Sequence, residues 1–192
     1  VYSPVVGDGL VYIRDRSNWN RGPGVVRAIN VTTGEQEWEF YSDKPSSDIT
    51  YGSVAVSDGK VYYPGDGIYA LDARTGEVIW KYDLPESIPL IETTPVVKRG
   101  TVYVGVDVIH GESPHVFALD AESGELEWSV TSGKEAMTGE SPAIMNNRLY
   151  IGGTNGTVYS LNLTSLRESD KKSHVIDGGY GGGGMFSDGL IP

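Results

Sequence analysis

The residues best suited to metal chemistry lie in one short stretch of this sequence, 107–115. It contains two imidazoles and a nearby carboxylate, His110, His115 and Asp107, and zinc binds these ligand types in proteins. They do not stand at the fixed spacing of a recognised zinc motif. We therefore treat the three residues as candidate metal ligands, with a solvated polar loop as the alternative interpretation.

Two glutamates suggest a second kind of site. Glu92 and Glu140 each stand just before a short apolar segment, which begins near Thr94 in one case and near Ser141 in the other. Carboxylate oxygens that converge at the centre of a fold suit a hard cation such as calcium. The alternative is that both side chains line a wet channel or cap loops. We place both among the candidate binding residues.

A polar stretch in the first repeat carries residue types that dominate binding surfaces. Arg14, Arg16 and Arg21 surround Trp19, and tryptophan and arginine are enriched among the anchors of protein interfaces. We predict that these four side chains belong to an exposed binding surface. For Trp19, the alternative is that it packs beneath its own loop.

No arrangement of residues predicts covalent catalysis. The 192 residues include no cysteine, which excludes thiol nucleophiles, thiolate metal sites and disulfides together. Serine, histidine and aspartate all occur, but no G-x-S-x-G turn presents a serine nucleophile. The glycine-rich run 178–184 lacks the Lys-Ser/Thr pair of a phosphate-binding loop, so we interpret it as a connector. We assign no catalytic residue.

An eleven-residue repeat defines the elements that position these side chains. It occurs at 28–38, 70–80 and 118–128, and a degenerate copy begins at Ser160, so that successive copies start 42, 48 and 42 residues apart. A period of about 40–50 residues built from short apolar segments indicates a propeller-type array. Each full copy has a small residue first, glycine seventh and tryptophan last. We predict a structural docking role for these nine residues: Ala28, Gly34, Trp38, Ala70, Gly76, Trp80, Ala118, Gly124 and Trp128.

Within each copy, two short apolar strands flank a tight turn. In the second copy, Gly76 supplies a left-handed residue at no steric cost, and Asp72 is placed to accept hydrogen bonds from the turn amides. The alanine that opens the copy leaves space for the tryptophan that closes it. We predict that each tryptophan packs over the small residue of a neighbouring strand and buries about 150–250 Å².

Two further strands precede each copy, joined by a two-residue turn such as Asp8-Gly9 that favours a type I′ hairpin. Every repeat therefore has four antiparallel strands, which is the organisation of a propeller blade. We predict an all-β β-propeller in a single domain, with four blades and the start of a fifth. The predicted blades lie at about 1–42, 51–84, 92–131 and 139–178, and the further blade starts at 184–192.

The fourth repeat departs from the pattern. Asp170 stands where tryptophan is expected, and Ser173–Ile176 remains as its predicted outer strand. Across all repeats the hairpin turns are short, whereas the connections at the opposite end of the strands vary in length. We name that end the variable face, and because variable loops on a rigid scaffold usually carry binding residues, we place any site there.

The pattern A-x-D/N-x-x-T/S-G-x-x-x-W resembles the tryptophan-docking repeat of pyrroloquinoline-quinone-type β-propellers. That family contains quinoprotein dehydrogenases and also non-enzymatic relatives, such as the propeller lipoprotein of outer-membrane assembly. The dehydrogenases of that family hold the quinone above a calcium ion with Asn, Glu and Asp side chains, often beside a disulfide. The resemblance implies such a site here only if this sequence supplies those ligands. No residue set in this sequence matches those ligands one by one, so we expect no cofactor, with pyrroloquinoline quinone and calcium as the alternative.

Charge and composition narrow the expected partners. The net charge of −11 argues against binding to nucleic acid, and no apolar run reaches the 18 residues of a membrane helix. We expect a non-catalytic scaffold, extracellular, cell-surface or periplasmic, that binds a protein or a polysaccharide. The alternative is a fragment of a quinoprotein alcohol or sugar dehydrogenase. Exposed blade edges would be covered by a homodimer that closes an eight-bladed ring, or by the remaining blades of a longer chain.

Overall fold

The computed structural model describes residues 3–16, 23–45, 52–85, 93–106, 116–131, 141–152, 158–164 and 174–175. Within these residues sixteen β-strands form four sheets, and each sheet corresponds to one repeat of the sequence. The predicted all-β propeller is confirmed, because successive hydrogen-bonded strands of each repeat run antiparallel, as in a propeller blade.

The strands follow the repeats in chain order. Blade one contains β1 (Val5–Gly7), β2 (Leu10–Arg16), β3 (Pro23–Asn30) and β4 (Gln36–Pro45). Blade two contains β5 (Ala55–Ser57), β6 (Lys60–Pro64), β7 (Ile68–Asp72) and β8 (Val78–Tyr82). Blade three contains β9 (Val96–Lys98), β10 (Thr101–Gly105), β11 (Val116–Asp120) and β12 (Leu126–Thr131). Blade four contains β13 (Ala143–Met145), β14 (Arg148–Gly152) and β15 (Val158–Asn162), and β16 is His174–Val175.

The last strand corrects one sequence-based prediction. The segment Ser173–Ile176 was expected to be the outer strand of blade four, but β16 pairs in parallel with β12 of blade three, with Val130 opposite His174. Outer strand β12 offers the unpaired backbone groups of a sheet edge, and β16 covers them. In the described part of the chain, blade four therefore has three strands.

The hairpin between the first two strands has the same conformation in every blade. Asp8 and Gly9 have φ angles of 51° and 80°, and in blade three Arg99 and Gly100 have φ angles of 53° and 76°. Two successive positive φ angles are the mark of a type I′ turn, whose twist matches that of the strands it joins. The predicted I′ hairpins are therefore confirmed.

The hydrophobic core lies between blades rather than inside any one of them. The described residues form three clusters of buried side chains, one at each junction of successive blades. The cluster between blades two and three, for example, joins Tyr62 and Ile68 to Val102 and Phe117. Each blade thus depends on its neighbour for burial, as expected for an array of repeats.

Candidate functional site

A row of three side chains crosses each of the first three blades. In blade one, Ala28 lies opposite both Tyr12 and Trp38 on its two neighbouring strands. Because the alanine side chain is only a methyl group, the two rings approach each other above it, with centroids 5.9 Å apart. The corresponding centroid distances are 5.9 Å in blade two and 5.8 Å in blade three.

The tryptophan of this row reaches the next blade. The Trp38 Nε1 donates to the backbone carbonyl of Ala73 in blade two at 3.0 Å, and the Tyr12 hydroxyl donates to the same oxygen at 3.0 Å. The indole also covers Gly76, where an added Cβ atom would lie 2.6 Å from the ring. Because Gly76 has a φ of 75° as well, both backbone conformation and space favour glycine there.

The same contact recurs one blade further along. The Trp80 Nε1 donates to the Ala121 carbonyl at 3.1 Å, and the Tyr62 hydroxyl donates to that oxygen at 3.4 Å. A Cβ atom at Gly124 would lie 2.6 Å from the Trp80 ring. We name each glycine and the carbonyl three residues before it an indole seat. The sequence predicted that tryptophan packs over the small residue within its own blade, and it missed the seat on the next blade.

The turn that holds each seat is fixed by one side-chain oxygen. Asp72 Oδ1 accepts from the amides of Arg74 and Thr75, both at 2.9 Å, and the Gly76 amide donates to the Asp72 carbonyl at 2.9 Å. The hydrogen bonds from the backbone amides of Thr75 and Arg74 lower the pKa of the Asp72 carboxyl below its usual value. In blade one the uncharged Asn30 Oδ1 accepts the equivalent pair of hydrogen bonds, from the amides of Thr32 and Thr33. The predicted role of Asp72 in the turn is confirmed.

The third junction differs because blade four lacks the full repeat. Trp128 is buried and packs with Leu149, Ile151 and Leu163 of blade four. Residues 165–169, which replace the glycine turn, lie outside the described part of the chain. Apolar contact is thus retained at this junction with a different turn sequence.

Small polar residues connect the blades at the start of their inner strands. The Ser53 hydroxyl donates to the Ser3 carbonyl at 2.6 Å, and the Ser53 amide donates to Thr94 Oγ1 at 2.8 Å. The Thr94 amide donates to Ser141 Oγ at 2.9 Å. These bonds run from blade one to blade four. The sequence showed a small polar residue at the start of every repeat, but not that it joins one blade to the next.

Arg14 is placed differently from the exposed position predicted for it. Its side chain is 2% exposed, its Nη1 donates to the Gly52 carbonyl at 2.5 Å, and its guanidinium lies 5.1 Å from the centroid of the Tyr63 ring. Both contacts are with blade two: Gly52 precedes its first strand, and Tyr63 lies in β6. Strand alternation explains the burial, because Leu10, Tyr12 and Arg14 point to the same side of β2. Arg14 therefore joins two blades.

On the variable face, three aspartates surround one lysine. Lys81 Nζ lies 3.0 Å from Asp43, 3.2 Å from Asp66 and 3.1 Å from Asp83. The Tyr69 hydroxyl donates to Asp66 at 2.6 Å, and burial followed by this bond raises the Tyr69 pKa. Burial lowers the pKa of Lys81, but its bonds to Tyr69 and the aspartates raise it overall. The ammonium group is the cation of this carboxylate cluster.

The opposite face, formed by the hairpin turns, has an open cleft between blades one and two. Its volume is about 950 Å³, and its lining includes Asp8, Asp58, Asp72, Lys60 and Arg74. The Lys60 ammonium is already paired with Glu122 of blade three at 2.7 Å. The sequence placed binding on the variable face and did not predict a cleft at this end.

Most of the other predicted site residues lie outside the described part of the chain. Arg16 is the last residue of β2, and only its backbone is described. The rest of the predicted set is outside altogether: Trp19, Arg21, Glu92, Glu140, Asp107, His110 and His115. Among the residues that are described, no three His, Cys, Asp or Glu side chains come together as metal ligands. No helix within those residues is long and apolar enough to cross a membrane.

The sheets and their junctions define this protein as a β-propeller assembled from repeated blades. The family model for the outer membrane protein assembly factor BamB matches residues 1–104 and 22–172. The chain belongs to this family. The resemblance to pyrroloquinoline-quinone-type propellers, which the repeat predicted, is thereby confirmed.

Relatives of two kinds match the chain. BamB of Yersinia pestis is 28% identical over 180 residues, which cover 82% of this chain and 44% of that protein. The 1-butanol dehydrogenase (cytochrome c) of Thauera butanivorans is 31% identical over 115 residues, which cover 54% and 16%. The structure of BamB from Moraxella catarrhalis shares the fold, with a TM-score of 0.65 and 18% identity over 83% of this chain and 47% of that one. The chain thus spans less than half the length of each of these proteins.

Proposed function

We propose that this chain is a non-catalytic interaction scaffold of the cell surface or periplasm that binds a protein through its variable face. The observation that carries the proposal is that two cationic side chains, Arg14 and Lys81, bind groups of this chain itself. Arg14 binds a backbone carbonyl of the next blade, and Lys81 binds three aspartates of its own chain. Groups that an enzyme would direct at a substrate here hold loops and blades together.

The two curated relatives support this reading by the extent of their sequence matches. The match to BamB of Yersinia pestis covers 82% of the chain, against 54% for the dehydrogenase of Thauera butanivorans. A rigid propeller with loops of different lengths at one end is well suited to present a binding surface. Asp43 and Asp83 are exposed on that face, so a partner with basic side chains would complement it.

Site-specific photo-crosslinking in producing cells tests the proposal. A crosslinking amino acid at Asp83, on the variable face, is compared with one at exposed Arg74, on the hairpin face. We expect a discrete protein adduct from position 83 and none from position 74. Equal labelling at both positions, or polysaccharide in place of protein on the position-83 adduct, would contradict the proposal.

A second candidate, a fragment of a quinoprotein dehydrogenase, is favoured by the higher identity to the butanol dehydrogenase. The described residues do not fit its cofactor. The carboxylates gathered on the variable face already surround the Lys81 ammonium, and a calcium ion there would meet a like charge.

Titration with pyrroloquinoline quinone and Ca²⁺ separates the two candidates. Binding is followed by calorimetry and by dye-linked oxidation of primary alcohols and sugars. We expect no saturable heat and no dye reduction. Stoichiometric, calcium-dependent binding together with alcohol oxidation would replace the scaffold proposal with the dehydrogenase.

A further inference from the structure

Two asparagines in the described part of the chain begin an N-x-T sequence, which is the acceptor motif for N-linked glycans. They are Asn30 and Asn162. Both occupy the third position of the eleven-residue repeat, where blades two and three have Asp72 and Asp120. A third such motif, at 155–157, lies outside the described residues.

In blade one the turn of the repeat explains the asparagine but not the rest of the motif. Asn30 Oδ1 accepts from the amides of Thr32 and Thr33, so the turn needs a side-chain oxygen at this position. The Thr33 hydroxyl also serves the turn, because it accepts from the Glu35 amide at 3.2 Å. Thr32 is exposed, and blade two has Arg74 in its place. The hydroxyl that completes the acceptor motif is therefore not required by the fold.

The amide nitrogen of Asn30 lies beside open space. Asn30 Nδ2 donates to the exposed Glu37 carboxylate at 2.9 Å, and an amide nitrogen carries a second hydrogen that can be replaced. Val31, the middle residue of the motif, is 52% exposed. Together with Thr32, these residues line the cleft of about 950 Å³ on the hairpin face, a volume typical of sites that hold small molecules. The first sugars of a glycan therefore have room there.

Asn162 begins the same kind of turn in different surroundings. Its Oδ1 accepts from the Thr164 amide at 3.0 Å, as in blade one. Leu163, however, is 4% exposed and belongs to the core cluster that contains Trp128. The Thr164 hydroxyl accepts a hydrogen bond from Asn147 Nδ2. The middle residue and the hydroxyl of this motif are thus both held by the fold.

We propose that Asn30 is a site of N-linked glycosylation and that Asn162 is not. The donor is an oligosaccharide on a lipid phosphate carrier. Asn30 Nδ2 forms a bond to the anomeric carbon of the first sugar, the bond from that carbon to the phosphate oxygen breaks, the phosphate leaves with its lipid, and one amide hydrogen leaves as a proton. Oδ1 keeps both turn hydrogen bonds, and Nδ2 keeps one hydrogen for Glu37.

This site depends on the proposed function only through the location of the chain outside the cytoplasm, where N-linked glycans are found. It does not depend on protein binding. The cleft beside Asn30 lies on the hairpin face, opposite the variable face. A hydrated glycan there covers the rim formed by Asp8 and Asp58 and leaves the variable face free for a partner.

Mass spectrometry of the protein purified from the cells that produce it tests the inference. Asn30 is the only asparagine of the tryptic peptide 28–60, so sugar fragment ions from this peptide identify the site. We expect a glycan on most copies of the peptide and none on Asn162. Thr32→Ala should abolish the modification, whereas Thr32→Ser, which keeps the hydroxyl, should retain it. Thr33→Ala is the matched control, because it removes a turn hydroxyl outside the motif and should leave the glycan in place.

Transfer of the motif to blade two tests whether geometry selects the site. Asp72→Asn combined with Arg74→Thr creates an N-x-T sequence at the same repeat position, but its middle residue, Ala73, is fully buried. We expect no glycan at position 72 in this double variant, and circular dichroism checks that the variant is folded. Full modification of position 72 in a folded protein would show that the motif is modified wherever it occurs.

Two other results would overturn the inference. The first is an unmodified peptide 28–60 from protein that fractionates outside the cytoplasm, which would leave the proposed function standing. The second is equal modification of Asn30 and Asn162. Recovery of the protein from the cytoplasm would overturn both this inference and the location in the proposed function. Crosslinking at Asp83 reports on the protein partner separately from all of these results.

Discussion

The junction between blades one and two and the Gly34 turn of blade one carry the same sequence features in different surroundings. At the junction, Ala73 is fully buried and Gly76 lies under the Trp38 ring. At the Gly34 turn, Val31 is half exposed, and a Cβ atom added at Gly34 would meet nothing within 4 Å among the described residues. The difference teaches that a blade supplies its own turn but not its own burial. Stability in such an array resides largely in the contacts between neighbours.

Loss of a docked indole should have the largest effect. Trp80→Ala removes the ring from Gly124 and the hydrogen bond to the Ala121 carbonyl, and we expect the free energy of unfolding to fall by about 3–5 kcal/mol. Val78→Ala, at an exposed position of the same strand, is the control and should cost under about 0.5 kcal/mol. Urea unfolding measures both. Equal effects would refute the structural role of Trp80.

The glycines of a filled and an open seat give the next largest difference. Gly34→Ala and Gly124→Ala both place a side chain at a positive φ, at a cost of about 1–2 kcal/mol. Only at Gly124 does the new methyl group also meet an indole, which adds about 1–3 kcal/mol of overpacking. The melting temperature of the Gly124→Ala variant should therefore be clearly lower than that of the Gly34→Ala variant. Similar melting temperatures would mean that the ring moves aside freely.

The repeat and its turns are predictable because they follow from local rules. Alternation, the two-residue hairpins and the glycine at a positive φ depend on residues close in sequence, and all are found. The seat is not local: Trp38 and Gly76 belong to different blades. The signal for the row was a tyrosine three residues after the hairpin glycine, as in Tyr12 after Gly9 and Tyr62 after Gly59.

Two corrected predictions show where residue type and chain order mislead. The sequence analysis predicts an exposed Arg14 because arginine is enriched at binding surfaces, although its register with Leu10 and Tyr12 places it on the buried side of β2. The outer strand of blade four was assigned by order along the chain, whereas His174–Val175 pair with β12 of blade three. Strand register and the availability of an edge decided these cases, and neither is visible in composition.

The hydroxyl of Tyr12 should contribute less to the free energy of unfolding than a docked indole does. Tyr12→Phe removes one of two donors to the Ala73 carbonyl, which keeps its bond from Trp38. Because no acceptor is left unpaired, we expect a loss of about 0.5–1.5 kcal/mol. Tyr41→Phe, at an exposed tyrosine of the same blade, should change the unfolding midpoint little. A Tyr12→Phe loss above about 3 kcal/mol would indicate that the ring itself has moved.

The smallest expected effect on stability comes from replacing the charged residue of the blade-two turn, Asp72, by the neutral residue found in the blade-one turn. Hydrogen bonds from backbone amides lower the Asp72 pKa in the folded chain. The Asp72 carboxylate therefore stabilises the fold fully above its unfolded pKa of about 4, and this stabilisation is lost as the pH falls through its folded pKa. Asn30 holds the equivalent turn of blade one without any such titration. Asp72→Asn should therefore cost about 0.5 kcal/mol or less at pH 7, because the site is near the surface, and should weaken the loss of stability below pH 4. Unfolding curves at pH 7 and pH 3 measure this change, and an unaltered acid dependence would mean that the Asp72 charge has no part in holding the seat.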